Sequence, residues 1–226
     1  YMSFFSQMDT YGDGYAGIGV WRAAFKPLVD RIADTDIRLQ WFCCDRSTGV
    51  TDASGKRVTL IRDTKYPVSV EYQTVKFIGT GRDNIKAGVF SGWELGDYIY
   101  LRSEEAYMIK MEALAHKGSA DAITELNSFM KTRQPDYNYT FTNKADLIEE
   151  IIYQKRVEFW GEGLEYIDNR RLNIPVDRTD ETWGAENNNH FSAGKFRYNQ
   201  EERPFLYQLP LSEIENNSQL SPTDQN

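Results

Sequence analysis

Three glutamates follow one another at steps of four and three in RVEFWGEGLEYIDNRRL, residues 156–172. Two carboxylates about 5–9.5 Å apart can form the catalytic pair of a glycoside hydrolase. Glu158 and Glu162, four residues apart on a helix, would have Cβ atoms about 5–6 Å apart, so their separation is permissible. Their side chains would nevertheless point the same way, whereas the catalytic pair must flank the sugar. We therefore predict ion pairs rather than catalysis, with Arg156, Arg170 and Arg171 as candidate partners.

Other catalytic and metal-binding patterns have little support. Cys43 and Cys44 are adjacent, which suits neither a framework disulfide nor a four-ligand zinc site. His116 and His190 are far apart and lack HExxH spacing. The glycine-rich YGDGYAGIG matches no Walker, GxSxG or GxGxxG template. We expect no catalytic residue, no metal site and no cofactor.

Aromatic residues in loops are the candidates for ligand binding. A flat ring with a polar handle can stack on a sugar face while forming hydrogen bonds, and binding residues are often on loops. The candidates are Tyr11, Tyr15 and Trp21 near the glycine-rich stretch, then Trp93 in FSGWELGDY and Trp183 in DETWGAENNNH. The alternative is that these rings only anchor their loops to the core. Trp160, on the apolar face of a helix, is expected in the core.

Length and charge narrow the class of protein. The chain has 226 residues, enough for one large domain or two small ones. Its 34 acidic and 26 basic residues give a net charge of -8, which argues against binding to nucleic acid or to anionic membranes. No stretch approaches 18 consecutive apolar residues. Because the chain begins at Tyr1 without a secretion signal, we expect it to be a fragment.

The first hundred residues show short elements. Apolar residues four apart predict a helix over residues 21–33, with Pro27 near its start or at a kink. DASGK at 52–56 predicts a turn, so DIRLQWFCC and RVTLIRD could form a hairpin. SVEYQTVKFIG at 69–79 is typical of extended structure.

Helical patterns begin at residue 97. YLRSEEAYMIKMEALAHKG predicts a helix that ends at Gly118, and Ser119 can cap the next helix. FTNKADLIEEIIYQKRVEFW predicts a third helix capped by Thr142 or Asn143. The inward-facing residues would be Leu101, Met108, Met111, Ala115, Ile123, Leu126, Met130, Ile148, Ile151, Ile152 and Phe159.

Two glycines leave the end of the third helix open. Gly161 and Gly163 would each cost about 1 kcal/mol inside a helix. The helix either breaks near Gly161 or runs on to Arg171, held by packing of Trp160, Leu164 and Ile167. After Pro175 the pattern fades into a polar, Asn-rich loop, followed by a short helical turn capped by Ser212.

Four segments, in order and spacing, resemble the signature of the SusD/RagB family: YLRSEEAYMIKMEALAHKG, AITELNSFMKTR, IIYQKRVEFWGEGLEYIDNRRL and LYQLPLSEIENNSQLSPTDQN. DTDIRLQW also resembles the family's Asp-x-Arg-Leu stretch, and the likeness covers roughly residues 20–226. Departures are local: Glu104 stands where the family often has alanine, although Arg102 and Glu105 are in register. Lys155 and Arg156 keep the family's charge pattern without its leading acid.

The resemblance implies an α+β, mostly helical fold with tetratricopeptide-like helical hairpins, long irregular loops and a few short strands. The chain would be the C-terminal portion of one SusD-like domain. Residues 1–96 would form a loop- and strand-rich ligand-side region, 97–172 a helical region and 173–226 an irregular region. Within the helical array, close contact between helices would explain the glycines.

The resemblance also implies a function. Family members are nutrient-binding lipoproteins of the Bacteroidetes outer membrane, so we expect non-enzymatic binding of oligosaccharide at the cell surface. The cargo would pass to a SusC-like TonB-dependent transporter, and a lipid anchor absent from this chain would hold the protein to the membrane. The alternatives are a peptide-binding member of the same family and a helical-repeat scaffold that binds only protein.

Overall fold

The computed structural model describes residues 23–43, 72–74, 76, 100–202, 209–221 and 223. The chain divides into two compact units, Tyr1–Gly161 and Glu162–Asn226. The described elements of the first unit are α1 (Lys26–Asp30), a 3₁₀ helix (Ile37–Trp41), β1 (Phe42–Cys43), β2 (Gln73–Thr74), α2 (Ser103–His116), α3 (Asp121–Met130) and α4 (Lys144–Glu158). Those of the second are α5 (Leu164–Leu172), β3 (Val176–Asp177), α6 (Asp180–Trp183), a 3₁₀ helix (Ser192–Gly194), β4 (Arg197–Tyr198) and α7 (Leu211–Asn216).

The helix predicted over residues 21–33 is present but much shorter: α1 covers only Lys26–Asp30, and residues 23–25 and 31–33 are not helical. Pro27 is the second residue of α1, where its missing N–H removes no helical hydrogen bond. β1 pairs antiparallel with β2, in the register Phe42 with Thr74 and Cys43 with Gln73. This partner belongs to the stretch predicted as extended at 69–79. The second arm of the predicted hairpin, residues 57–63, lies outside the described residues.

Helix α2 packs against α3, which follows it after a short turn, as expected for a helical hairpin. It also packs against α4, which follows α3 after a longer connection. Most of the predicted inward face is buried, including Met108, Met111, Leu126 and Ile151. Leu101 is an exception because it precedes α2 and is 68% exposed.

Of the residues predicted to cap these helices, Asn143 occupies the cap position of its helix. Asn143 Oδ1 accepts hydrogen bonds from the backbone N–H groups of Ala145 and Asp146, at 2.9 and 3.1 Å. At α3 the cap position is Ala120 rather than Ser119, although Ser119 Oγ accepts the Asp121 N–H at 3.2 Å. Gly118, just after α2, has φ of 71°, which is the conformation of a helix-terminating glycine.

The apolar core of the first unit joins α4 to the elements at the start of the described chain. Its buried members are Ala24, Val29, Ile32, Leu39, Phe42, Tyr72, Tyr153 and Val157. Trp160 packs against this cluster, with its ring edge-on to Phe42 at a centroid distance of 5.7 Å. The prediction that Trp160 is a core residue is confirmed.

The glycine-bearing segment breaks, so the continuous helix is wrong. α4 ends at Glu158, and Gly161 and Gly163 have φ of 78° and 85°, a left-handed conformation that disfavours other residues. Close packing between helices does not explain Gly163, because a Cβ there would meet nothing within 4 Å. In α5, Ile167 is 58% exposed, so its predicted inward orientation is also wrong.

The second unit has more regular structure than its polar sequence predicts. β3 and β4 pair antiparallel, with Val176 opposite Tyr198 and Asp177 opposite Arg197. The chain between them is the predicted long loop, and it contains α6 and a 3₁₀ helix. α7 begins one residue before Ser212, with Pro210 at the cap position, so Ser212 is not the cap.

Candidate functional site

Glu158 closes α4 and is buried, with an exposed fraction of 2%. Its Oε1 accepts hydrogen bonds from Arg102 Nη1 and Arg133 Nη2, both at 3.1 Å. Its Oε2 lies 3.4 Å from Arg38 Nη1. Three guanidinium groups therefore surround one carboxylate.

Arg38 is itself 1% exposed and is held by a second carboxylate. Its Nη2 lies 2.6 Å from Asp36 Oδ2 and its Nε lies 3.0 Å from Asp36 Oδ1, the forked geometry that favours arginine over lysine. The same Nη2 also donates to Gln154 Oε1. Asp36, which caps the 3₁₀ helix through the Arg38 N–H, thus fixes the guanidinium that faces Glu158.

These contacts determine the charge state of the cluster. Burial acts to raise the pKa of Glu158, but the hydrogen bond from Arg133 and the charges of Arg38, Arg133 and Arg102 outweigh it and lower the pKa. Burial likewise acts to lower the pKa of Arg38, and the bond to Asp36 reverses that effect. A buried carboxylate held ionised by three arginines is suited to holding the unit together, not to proton transfer.

The predicted ion pairing of Glu158 is present, but its predicted partners are wrong. The candidates were the near neighbours Arg156, Arg170 and Arg171, whereas the partners come from three other parts of the chain. Arg171 instead pairs with Asp168 at 2.7 Å. Glu162 follows the end of α4, so it does not share a helical stripe with Glu158.

Trp183 is the predicted binding residue that lies within the described part of the chain. It ends α6 and is 37% exposed. Its indole Nε1 donates to the Asp177 carbonyl oxygen at 2.9 Å. This hydrogen bond ties the exposed ring to β3, so its orientation is fixed.

Asp177 organises the turn that carries Trp183. Its carboxylate accepts hydrogen bonds from the hydroxyls of Thr179 and Thr182, both at 2.7 Å, and lies 2.6 Å from Arg197 Nη1. Burial acts to raise the pKa of Asp177, but the hydrogen bonds from Thr182 and Thr179 and the charge of Arg197 lower it to about 2. The turn is therefore braced by an ionised carboxylate at every physiological pH.

The rest of the loop is braced by Asp180. Asn188 Nδ2 and Lys195 Nζ both lie 2.8 Å from Asp180 Oδ1, and Asn188 also donates to the Arg178 carbonyl oxygen. Gly184 ends α6 with φ of 79°, and a Cβ there would come within 2.7 Å of the Glu186 carboxylate. The loop is consequently a built structure that presents Trp183.

The other predicted binding residues are not placed. Tyr11, Tyr15, Trp21 and Trp93 lie outside the described residues, so their roles stay predictions. Across the described ranges, no group of three or more His, Cys, Asp or Glu side chains is positioned to hold a metal ion. No helix in those ranges combines the length and the apolar character needed to cross a membrane.

Comparison with known proteins shows which family the chain belongs to. The chain is similar to a SusD-like carbohydrate binding protein from Bacteroides vulgatus ATCC 8482, known from a crystal structure at 1.70 Å resolution. The TM-score is 0.64 at 21% identity, over 96% of this chain and 44% of that protein. In sequence, the SusD family model matches residues 30–226. The chain belongs to the SusD family. No curated protein matches it.

Membership of the SusD family confirms the resemblance and the mostly helical fold predicted from four segments. The chain spans less than half the length of the similar structure. The residues around Glu158 were only partly visible in the sequence of this SusD family member. The Asp-x-Arg of DTDIRLQW and Arg102 match the family's pattern, but nothing in their spacing indicates that Arg38 and Arg102 meet one carboxylate.

Proposed function

We propose that the protein binds an oligosaccharide at the cell surface, without cleaving it, and delivers it to a SusC-like TonB-dependent transporter. The observation that carries this proposal is the match to the SusD family over residues 30–226. The similar structure is of a SusD-like carbohydrate binding protein, which supports a glycan as the ligand. The setting would be the outer face of the outer membrane, reached through a lipid anchor.

Trp183 is the described residue best suited to such a ligand. An exposed indole can stack on the apolar face of a pyranose, and we take the contribution of that contact to be similar to that of an aromatic pair, about 0.5–1.5 kcal/mol. Because its N–H is already bound to the Asp177 carbonyl, the ring loses little freedom when a sugar stacks on it. We expect Tyr11, Tyr15, Trp21 and Trp93 to extend this contact surface.

Isothermal titration of the protein with a panel of oligosaccharides tests the proposal. At least one should bind, and Trp183→Ala should weaken binding about tenfold, near the upper limit of a ring contact. Trp183→Phe should keep most of the affinity, since it retains a ring. Phe141→Ala is the matched control, because Phe141 is a 43% exposed aromatic residue in the other unit.

Four outcomes would each contradict one part of the proposal. If no oligosaccharide binds, the proposed ligand class is wrong. If an oligosaccharide binds equally well to Trp183→Ala, Trp183 is not part of the binding site. Appearance of shortened oligosaccharides after incubation, measured by chromatography, would show an enzyme. Capture of the transporter by tagged protein in detergent extracts checks the partner, and its failure would contradict delivery alone.

A protein-binding scaffold is the second candidate, and the exposed face of α2 favours it. Tyr107 and Ile109 are 52% and 53% exposed there. Apolar side chains on a helical hairpin are typical of surfaces that bind other proteins. If Tyr107→Ala abolished capture of a protein partner while all oligosaccharides failed to bind, the scaffold would replace the glycan proposal.

A further inference from the structure

A cavity of about 260 Å³ lies within the first unit. It is lined by residues from 31–36, which follow α1, from the 134–139 loop after α3, and from 150–154 of α4. This volume is below the roughly 300–1,000 Å³ of sites for drug-sized ligands, so the cavity suits a single ring rather than an extended chain.

Each charged group of the cavity has an ion-pair partner, either in the cavity wall or behind it. Arg31 Nη2 lies 2.5 Å from Glu150 Oε2. Asp36 is bound to Arg38, which belongs to the cluster around Glu158. An anion would have to compete with Glu150 for Arg31, and a cation would have to compete with Arg31 for Glu150. Separating a partly buried pair is costly, so the walls favour a neutral ligand.

Three tyrosines give the cavity hydrogen-bond acceptors. The Tyr137 hydroxyl donates to Glu150 Oε1 at 2.8 Å, that of Tyr139 to a carbonyl of α4 at 3.1 Å, and that of Tyr153 to a carbonyl of α1 at 3.4 Å. Each hydroxyl has one proton, so with that proton engaged its oxygen can still accept. Burial raises the pKa of Tyr137 and of Tyr153 well above the ordinary value, which keeps both protonated. These tyrosine oxygens therefore suit a ligand whose hydroxyl groups act as hydrogen-bond donors.

The cavity also has a donor and aromatic surface. Gln154 Nε2 uses one of its two hydrogens on Glu150 Oε1, at 2.6 Å, and the second can be donated. The rings of Tyr137 and Tyr139 are nearly parallel, with centroids 6.5 Å apart and planes 20° apart. Rings beside acceptors and a donor match a molecule that has both apolar C–H faces and hydroxyl groups.

We propose that this cavity binds one neutral pyranose, either as a free monosaccharide or as a single residue of a longer glycan. The choice of a sugar as the ligand rests on the proposed function. The size of the cavity, the pairing of its charges and its hydrogen-bond acceptors are observed independently of the proposed function. All the groups concerned belong to the first unit, whereas Trp183 belongs to the second.

The test uses amide chemical shifts of the isotopically labelled full chain. The probes are methyl β-D-glucopyranoside, methyl β-D-galactopyranoside, methyl α-D-mannopyranoside and D-xylose, with D-glucuronate as the charged control. At least one neutral probe should shift the amides of residues 31–36 and 134–139 in a saturable way. Glucuronate should bind at least tenfold more weakly than the best neutral probe, because the charged walls are already paired.

Two variants connect those shifts to the cavity. Ala33→Leu adds volume at the wall without removing a polar group and should abolish saturation, whereas Ala113→Leu, on the exposed surface of α2, should leave it unchanged. Tyr139→Ala should weaken binding about tenfold through loss of a ring contact. If Tyr139→Ala fails to fold, Ala33→Leu still decides the question.

The results separate this inference from the proposed function. Absence of saturable shifts in residues 31–36 and 134–139 with every neutral probe, or persistence of binding in Ala33→Leu, overturns the cavity site. Trp183-dependent binding of oligosaccharides would then leave the proposed function standing. Conversely, monosaccharide binding in the cavity together with silence towards oligosaccharides supports the cavity and overturns the proposed function.

Discussion

Replacing Glu158 by glutamine tests whether the cluster around it stabilises the first unit. The change keeps the size of the side chain but removes the charge that faces Arg38, Arg102 and Arg133. Removing one partner from a buried ion pair costs about 3–5 kcal/mol. Arg38 keeps Asp36, and the side chains of Arg102 and Arg133 are each 19% exposed. We therefore expect a loss near the lower limit, about 3 kcal/mol at neutral pH.

The pH dependence gives a second, independent measure. Because the pKa of Glu158 is lowered in the folded state, its stabilising contribution is complete above the ordinary glutamate pKa of about 4.3. That contribution is lost as the pH falls through the folded-state pKa, when the carboxyl becomes protonated. The difference in unfolding free energy between the two proteins should therefore be constant above about pH 5 and shrink below about pH 4.

Urea unfolding followed by circular dichroism measures both effects, and hydrogen exchange of α4 amides assigns them to the first unit. Glu149→Gln is the matched control, since Glu149 is on the same helix with its side chain 77% exposed and 3.9 Å from Arg31. It should change stability by less than about 0.5 kcal/mol. The assigned role would be refuted if Glu158→Gln lost no more stability than Glu149→Gln. It would also be refuted if the difference in unfolding free energy between Glu158→Gln and the unchanged protein did not vary with pH.

Substitutions at two further positions test the helix boundaries. Gly163→Ala should lower the free energy of unfolding by about 1–2 kcal/mol because of the left-handed backbone alone, since the added Cβ would meet no other atom within 4 Å. Gly163→Asn should lower it by less, and urea unfolding measures both. Equal stability of the alanine and asparagine variants would contradict this. Asn143→Ala should cost about 1 kcal/mol by removing the cap of α4, whereas Asn143→Asp should keep it; fraying would appear as faster exchange at Ala145 and Asp146. Unchanged exchange there would be evidence against the cap.

The helices of the first unit were predictable because their sequence signals are local. Apolar spacing, Gly118 and Asn143 each act within a few residues, and the structure uses them as expected. The glycine pair was ambiguous, because the sequence does not distinguish a glycine within a helix from a glycine that terminates one. The positive φ of Gly161 and Gly163 resolves it.

The partners of Glu158 were not predictable from spacing. Ion pairs within a helix follow steps of three and four, which is why near arginines were favoured. The observed partners are separated from Glu158 by 25 to 120 residues, and their meeting depends on how α2, α4 and the 3₁₀ helix at 37–41 pack. Likewise, the sequence identified Trp183 as a candidate, but nothing in its spacing indicated that the Asp177 carbonyl, six residues earlier, would accept the indole N–H.

The convergence on Glu158 has a consequence for synthesis on the ribosome. The α2–α3 hairpin consists of neighbours in sequence and can form early, since local contacts form fastest. Arg38, by contrast, acquires Gln154 and Glu158 only after about 120 further residues have been made. Until α4 has been synthesised, Arg38, which is buried in the folded unit, lacks Glu158 as a counter-ion and Gln154 as a hydrogen-bond acceptor. Docking of α4 should therefore be the committing step for this unit, and a chain arrested before residue 158 should remain open to proteases.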